Sequence, residues 1–167
     1  MQQFIGVKLI NATPMDRLTY NVYRGWKLPD DENGTDEGFL VEYVDGGEAN
    51  TPDYKGYVSW SPKGVFEASY RATSGLTFGL AIDAMKLGHK VARIGWNGKG
   101  MWVALGRGTK DLDSTKFWNP HTKAHAESQG GTATVDDYLI MKTAGQTICM
   151  GWLASQADIL AEDWVIL

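Results

Sequence analysis

Gly95-Trp96-Asn97-Gly98-Lys99-Gly100 leaves the backbone few choices. Lys90-Val91-Ala92-Arg93-Ile94 precedes it with polar and apolar residues in alternation, and Met101-Trp102-Val103-Ala104-Leu105 follows. This pattern predicts strand, turn, strand, with Asn97-Gly98 supplying the positive-φ pair of a tight hairpin. A hairpin tip needs Asn-Gly; it does not need two indoles and a lysine. Glycine lets a ligand approach the backbone closely. Indole faces stack on flat rings, and a lysine or a row of amides holds a phosphate. The turn therefore points to a nucleotide-like ligand. A well-made hairpin with core tryptophans accounts for it equally well.

The 167 residues suffice for one medium domain or two small ones. A hydrophobic content of 43% supports a core. The net charge of −4 argues against a nucleic-acid polymer as partner, since phosphate-backbone binding relies on a basic face. It leaves room for a small phosphorylated ligand, which needs only local donors. Cys149 is the single cysteine, so no intrachain disulfide forms, and its apolar neighbours suggest a buried small hydrophobe. No apolar run is long enough for a membrane span, and Met1-Gln2-Gln3-Phe4 lacks the features of a signal peptide. A cytoplasmic protein is expected.

In chain order, residues 4–10 read as a first strand, with Pro14 at the start of a short helix from Asp16 to about Tyr23. Residues 38–44 and 57–60 read as strands. Ser61-Pro62 then opens a helix, with Ser61 as cap and Val65, Phe66 and Tyr70 on one side. Residues 1–72 form a small strand-and-helix module; Arg71 to Gly75 is the boundary, and 75–167 is the second domain. Thr77 caps the next helix, whose stripe of Phe78, Ala81, Ile82 and Met85 faces a core; Gly88 ends it. Residues 106–137 carry little periodicity and read as a long irregular stretch. His121 and His125 are four apart, but Pro120 weakens a helix there and no third metal ligand accompanies them, so solvated loop histidines are expected. A second hairpin spans residues 137–152. Ser155 and Asp158 stand at the capping-box interval before a short helix, and Trp164 to Leu167 form an edge strand. The expected class is α+β: antiparallel hairpins with one main helix, preceded by the small module.

Three separated strings carry a resemblance: Thr77-Phe78-Gly79, then Gly95 to Met101, then Gly151 to Trp164. Over residues 77–167 they resemble a phage family, the Thoeris anti-defence proteins of the second type. Residues 1–72 lie outside it and resemble a small phage module with no established activity. The resemblance implies a sponge. A TIR-domain enzyme of Thoeris converts NAD into a cyclic ADP-ribose isomer, and the sponge holds that signal without cleaving it, in the cytoplasm of the infected host. It further implies a homotetramer with pockets near subunit interfaces, and in some relatives uptake of CBASS cyclic dinucleotides. No cofactor is implied.

Trapping such a ligand calls for an aromatic face, phosphate donors and ribose partners. Trp96 suits the adenine, or a core. Asn97 suits a ribose or phosphate, Gly98 completes the turn, and Lys99 pairs with a phosphate or stands in solvent. Phe78 walls a pocket beside helix N–H groups, or anchors the helix. Trp152 is a second stacking face, or a plug. Ser155, Gln156 and Asp158 offer ribose contacts, although capping alone explains Ser155 and Asp158. Trp102 and Trp164 belong to the core. No catalytic or metal-binding residue is expected. Two alternatives stand beside the sponge: a phosphodiesterase that degrades the signal, and a phage structural or interaction module. The first lacks a suitable histidine arrangement, and the carboxylates of Asp158, Glu162 and Asp163 are explained by capping and solvation.

Overall fold

The computed structural model describes residues 2–3, 6–96 and 100–167. Two compact units divide the chain, Met1–Arg71 and Ala72–Leu167.

In the first unit β1 (Asn11–Pro14) is followed by α1 (Arg17–Arg24), β2 (Gly38–Tyr43), β3 (Tyr57–Pro62) and α2 (Lys63–Ser69). The strands form an antiparallel sheet in the order β1-β2-β3. The first strand therefore falls at 11–14, not at 4–10; residues 4 and 5 lie outside the described residues, and 6–10 form no strand. The partner strand explains the shift. Glu42 of β2 is buried, and its Oε2 accepts from Asn11 Nδ2 at 2.9 Å while Oε1 accepts from the N–H of Lys55 and of Gly56. Pro14 closes the edge strand rather than opening α1. Asp16 caps that helix instead, its carboxylate accepting from Thr19 N–H at 2.7 Å, and Gly25 ends it at φ 68°. Ser61 likewise belongs to β3, paired with Phe39, and Pro62 is the N-cap of α2. Phe66 stacks on Phe39 at 4.0 Å and meets Tyr70 at 5.0 Å, whereas Val65 stands exposed. Tyr20, Leu40 and Val58 make the buried core.

The second unit holds α3 (Phe78–Lys86), β4 (Val91–Arg93), β5 (Trp102–Gly106), β6 (Thr109–Asp113), α4 (Pro120–Ser128), β7 (Thr132–Val135), β8 (Tyr138–Lys142), β9 (Ile148–Met150), α5 (Gln156–Ile159) and β10 (Trp164–Ile166). The class is α+β, as the sequence indicates. Five strands form one antiparallel sheet in the order β10-β4-β5-β8-β9. Both expected hairpins are present, β4 with β5 and β8 with β9; the tip Asn97-Gly98-Lys99 lies outside the described residues. Thr77 caps α3 by accepting from Leu80 N–H at 3.4 Å. The helix buries Ala81, Ala84 and Met85, while Phe78 and Ile82 are half-buried against the same core of Leu76, Val91, Val103, Met141 and Trp164.

The stretch 106–137 is ordered, contrary to the sequence reading. β6 and β7 pair as a separate ribbon, and α4 follows β6 after a 3-10 turn. Pro120 sits at the first helical turn, where its missing N–H costs nothing, and Asn119 caps the helix by accepting from the N–H of His121 and Thr122. His121 and His125 are exposed on α4. Cys149 is exposed on β9, not buried, because this strand edges the sheet.

Candidate functional site

Four aromatic residues from separate segments converge beside the β4 turn. Trp164 of β10 is fully buried at the centre. Around it stand Phe78 from the first turn of α3 at 5.4 Å, Trp96 at 5.3 Å and Trp152 at 6.4 Å, ring centre to ring centre. Trp96 and Trp152 meet edge to face at 6.1 Å. Such edge-to-face pairs fix ring orientation and add about 0.5–1.5 kcal/mol each beyond burial. Phe78, Trp96 and Trp152 are only half-buried, so each retains surface toward solvent.

Polar groups pin this cluster from below. Ser155 and Asp158 complete a capping box on α5, with Ser155 Oγ donating to Asp158 Oδ2 at 2.6 Å and Asp158 N–H donating back at 3.2 Å. Asp158 Oδ1 accepts from Trp96 Nε1–H at 3.3 Å and from Arg93 Nη1 at 2.9 Å. Its backbone oxygen accepts from Trp164 Nε1–H at 3.0 Å. Arg93 Nε donates to Asp163 Oδ1 at 2.8 Å, and Asp163 Oδ2 accepts from Gly95 N–H at 2.7 Å. A Cβ at position 95 would meet that carboxylate oxygen at 2.7 Å, so any larger residue there requires Asp163 or the turn to shift.

The bond from Arg93 holds the Asp163 carboxyl below the ordinary aspartate range. For Asp158, burial pushes upward, but the Ser155 hydroxyl and Arg93 outweigh it and the net direction is down. Capping thus accounts for part of the role of Asp158, which also binds Arg93 and Trp96, while Asp163, 31% exposed, binds Arg93 and Gly95.

The structure brings together Phe78, Trp96, Trp152, Ser155 and Asp158. Gln156 is exposed at the start of α5. Asn97, Gly98 and Lys99 lie outside the described residues, although Gly100, the residue after them, has φ 63° and its carbonyl accepts from Lys142 Nζ at 3.0 Å. Sequence reasoning missed Arg93 and the part played by Asp163. Arg93 occupies one polar position in an alternating strand, which carries no signal of what it meets seventy residues later.

A groove of about 530 Å³ lies elsewhere in the second unit, lined by Lys116, Trp118, Tyr138 and Met150 among others. Trp118 is 85% exposed at it. Among the described residues no group of three histidine, cysteine or acidic side chains is placed to hold a metal ion, and no helix is long and apolar enough to cross a membrane.

Residues 76–167, the span that contains the whole aromatic cluster, match the family model Tad2-like, the Thoeris anti-defense 2-like domain. The chain belongs to this family. It is also similar to the protein named Thoeris anti-defense 2 of Bacillus phage SP01, at 35% identity over 92 residues, covering 55% of this chain and 94% of that relative. Membership of the Tad2-like family supports a phage anti-defence role. The family match does not include the first unit.

Proposed function

We propose that this protein is an anti-defence sponge that binds a cyclic ADP-ribose isomer made by a Thoeris TIR enzyme and sequesters it uncleaved in the cytoplasm of the infected host. The observation that carries this reading is the half-buried indole pair Trp96 and Trp152, braced on Trp164 within the Tad2-like span. A flat base stacks on such a face. Asn97, Gly98 and Lys99 meet the riboses and the pyrophosphate from the turn, Phe78 walls the pocket, and Gln156 with Ser155 contributes polar contacts from α5. Asp158 holds the Trp96 ring. Catalysis is not part of the proposal.

Assembly is proposed as a homotetramer, which the exposed apolar residues Trp118, Leu153 and Leu160 of the second unit favour. Sedimentation at micromolar concentration should give four times the chain mass. CBASS cyclic dinucleotides are proposed as a second signal class, at a pocket separate from the turn; the groove beside Lys116, Trp118 and Tyr138 has an aromatic wall and a cation for such a ligand.

The test is retention and release. Protein is incubated with the cyclic ADP-ribose isomer, washed, heated and the supernatant chromatographed. Intact ligand in the supernatant supports the sponge. Linear ADP-ribose would make the protein a hydrolase, and no retained ligand would remove the cyclic ADP-ribose assignment. Trp96→Ala should weaken binding by about 1–3 kcal/mol, the cost of losing one stacked base. Asn97→Ala should weaken it while leaving the melting temperature near that of the parent.

A further inference from the structure

Arg93 ends β4, one residue before the turn residues Ile94 to Trp96. Its guanidinium uses two edges at once, toward Asp163 Oδ1 at 2.8 Å and Asp158 Oδ1 at 2.9 Å. Each carboxylate then reaches the turn itself: Asp163 takes the Gly95 N–H at 2.7 Å and Asp158 the Trp96 indole N–H at 3.3 Å. One cation therefore sets two acceptors, and those acceptors set two consecutive residues of the turn. The indole bond is long, so its hold depends on where the carboxylate is kept. Ser155 restrains only the other oxygen of Asp158. The Arg93 side chain is 19% exposed and that of Asp158 14%, so water replaces neither partner freely. A lysine offers one compact charge and cannot span both carboxylates with fixed geometry.

We infer that Arg93 is a positioning residue for the ligand-binding turn, orienting the Trp96 ring through Asp158 and the turn backbone through Asp163. The inference rests on the Trp96 turn being the ligand site, but its first measurement requires no ligand. Uniformly ¹⁵N-labelled full-length protein gives one indole N–H signal per tryptophan, assigned by single Trp→Phe replacements. In Arg93→Met the Trp96 signal shifts or broadens. The Trp60 signal, whose Nε1 donates to Met15 O in the first unit, stays. Arg93→Lys, which keeps the charge and guards against a variant that does not fold, moves the Trp96 signal in the same sense. The dissociation constant for the cyclic ADP-ribose isomer rises at least about tenfold in both, about 1.4 kcal/mol.

A Trp96 signal that stays in place in either folded variant overturns the inference, whether or not binding changes. Failure of the sponge reading looks different: the parent protein takes up no cyclic ADP-ribose isomer, while the Trp96 signal still moves in Arg93→Met.

Discussion

Gly95 is the residue whose sequence meaning changes most once its surroundings are known. Its missing Cβ makes room for a carboxylate of its own chain, since Asp163 Oδ2 would lie 2.7 Å from that atom. Gly95→Ala must therefore push Asp163 off the backbone N–H or tilt the turn. The expected loss is about 1–3 kcal/mol, as for other overpacked sites, read by urea denaturation of the full chain. An unchanged midpoint would mean that Asp163 moves aside freely. The same carboxylates set an acid limit. Asp163 and Asp158 both titrate lower when folded than when unfolded. Their contribution to stability is thus complete above the ordinary aspartate value and is lost as pH falls through the lower folded values, below about pH 4. Melting temperature should drop across that window, and Arg93→Met should flatten the drop. If the two proteins lose stability in parallel down to pH 2, the cluster is not the acid-sensitive element.

At the level of elements, the legible parts were those whose signal is local. Thr77 and Gly88 bracket α3, and Ser155 with Asp158 opens α5, because a cap and its helix lie within four residues of each other. The β-edge partners of residues 11–14 were not legible, since Asn11 is placed by Glu42, thirty-one residues away. Residues 106–137 hid their order for a different reason. The ribbon of β6 and β7 is short, bulged and largely polar, and α4 buries only Ala126, so neither period stands out. Such a helix depends on its ends. Asn119→Ala removes the acceptor for two N–H groups and should cost about 1 kcal/mol, whereas Asn119→Ser should cost a few tenths. Thermal melts of the two variants check this. Equal stability for both would mean that packing of Ala126, not the cap, holds α4.

For the whole molecule, charge and family membership separate along the chain in the same place. The acidic excess lies within residues 1–71, whereas residues 72–167 carry as many acids as bases. The Tad2-like match begins at residue 76, and the alignment to the phage SP01 relative covers 92 residues, 94% of that protein. The second unit is compact in itself. Its own core of Trp164, Met85, Val91 and Val103 is closed within it. The aromatic cluster was not legible in the sequence, because Phe78, Trp96, Trp152 and Trp164 are brought together by sheet order rather than spacing. If the second unit contains the complete binding apparatus, a fragment of residues 72–167 should retain the cyclic ADP-ribose isomer with a dissociation constant within about threefold of the full chain, about 0.6 kcal/mol. Its association should be slightly faster at low salt, because the acidic unit no longer repels an anionic ligand, and the two rates should converge above about 0.15 M ionic strength. Calorimetry and stopped-flow tryptophan fluorescence measure both quantities. A folded fragment that binds tenfold more weakly or worse would assign the first unit a direct part in holding the signal.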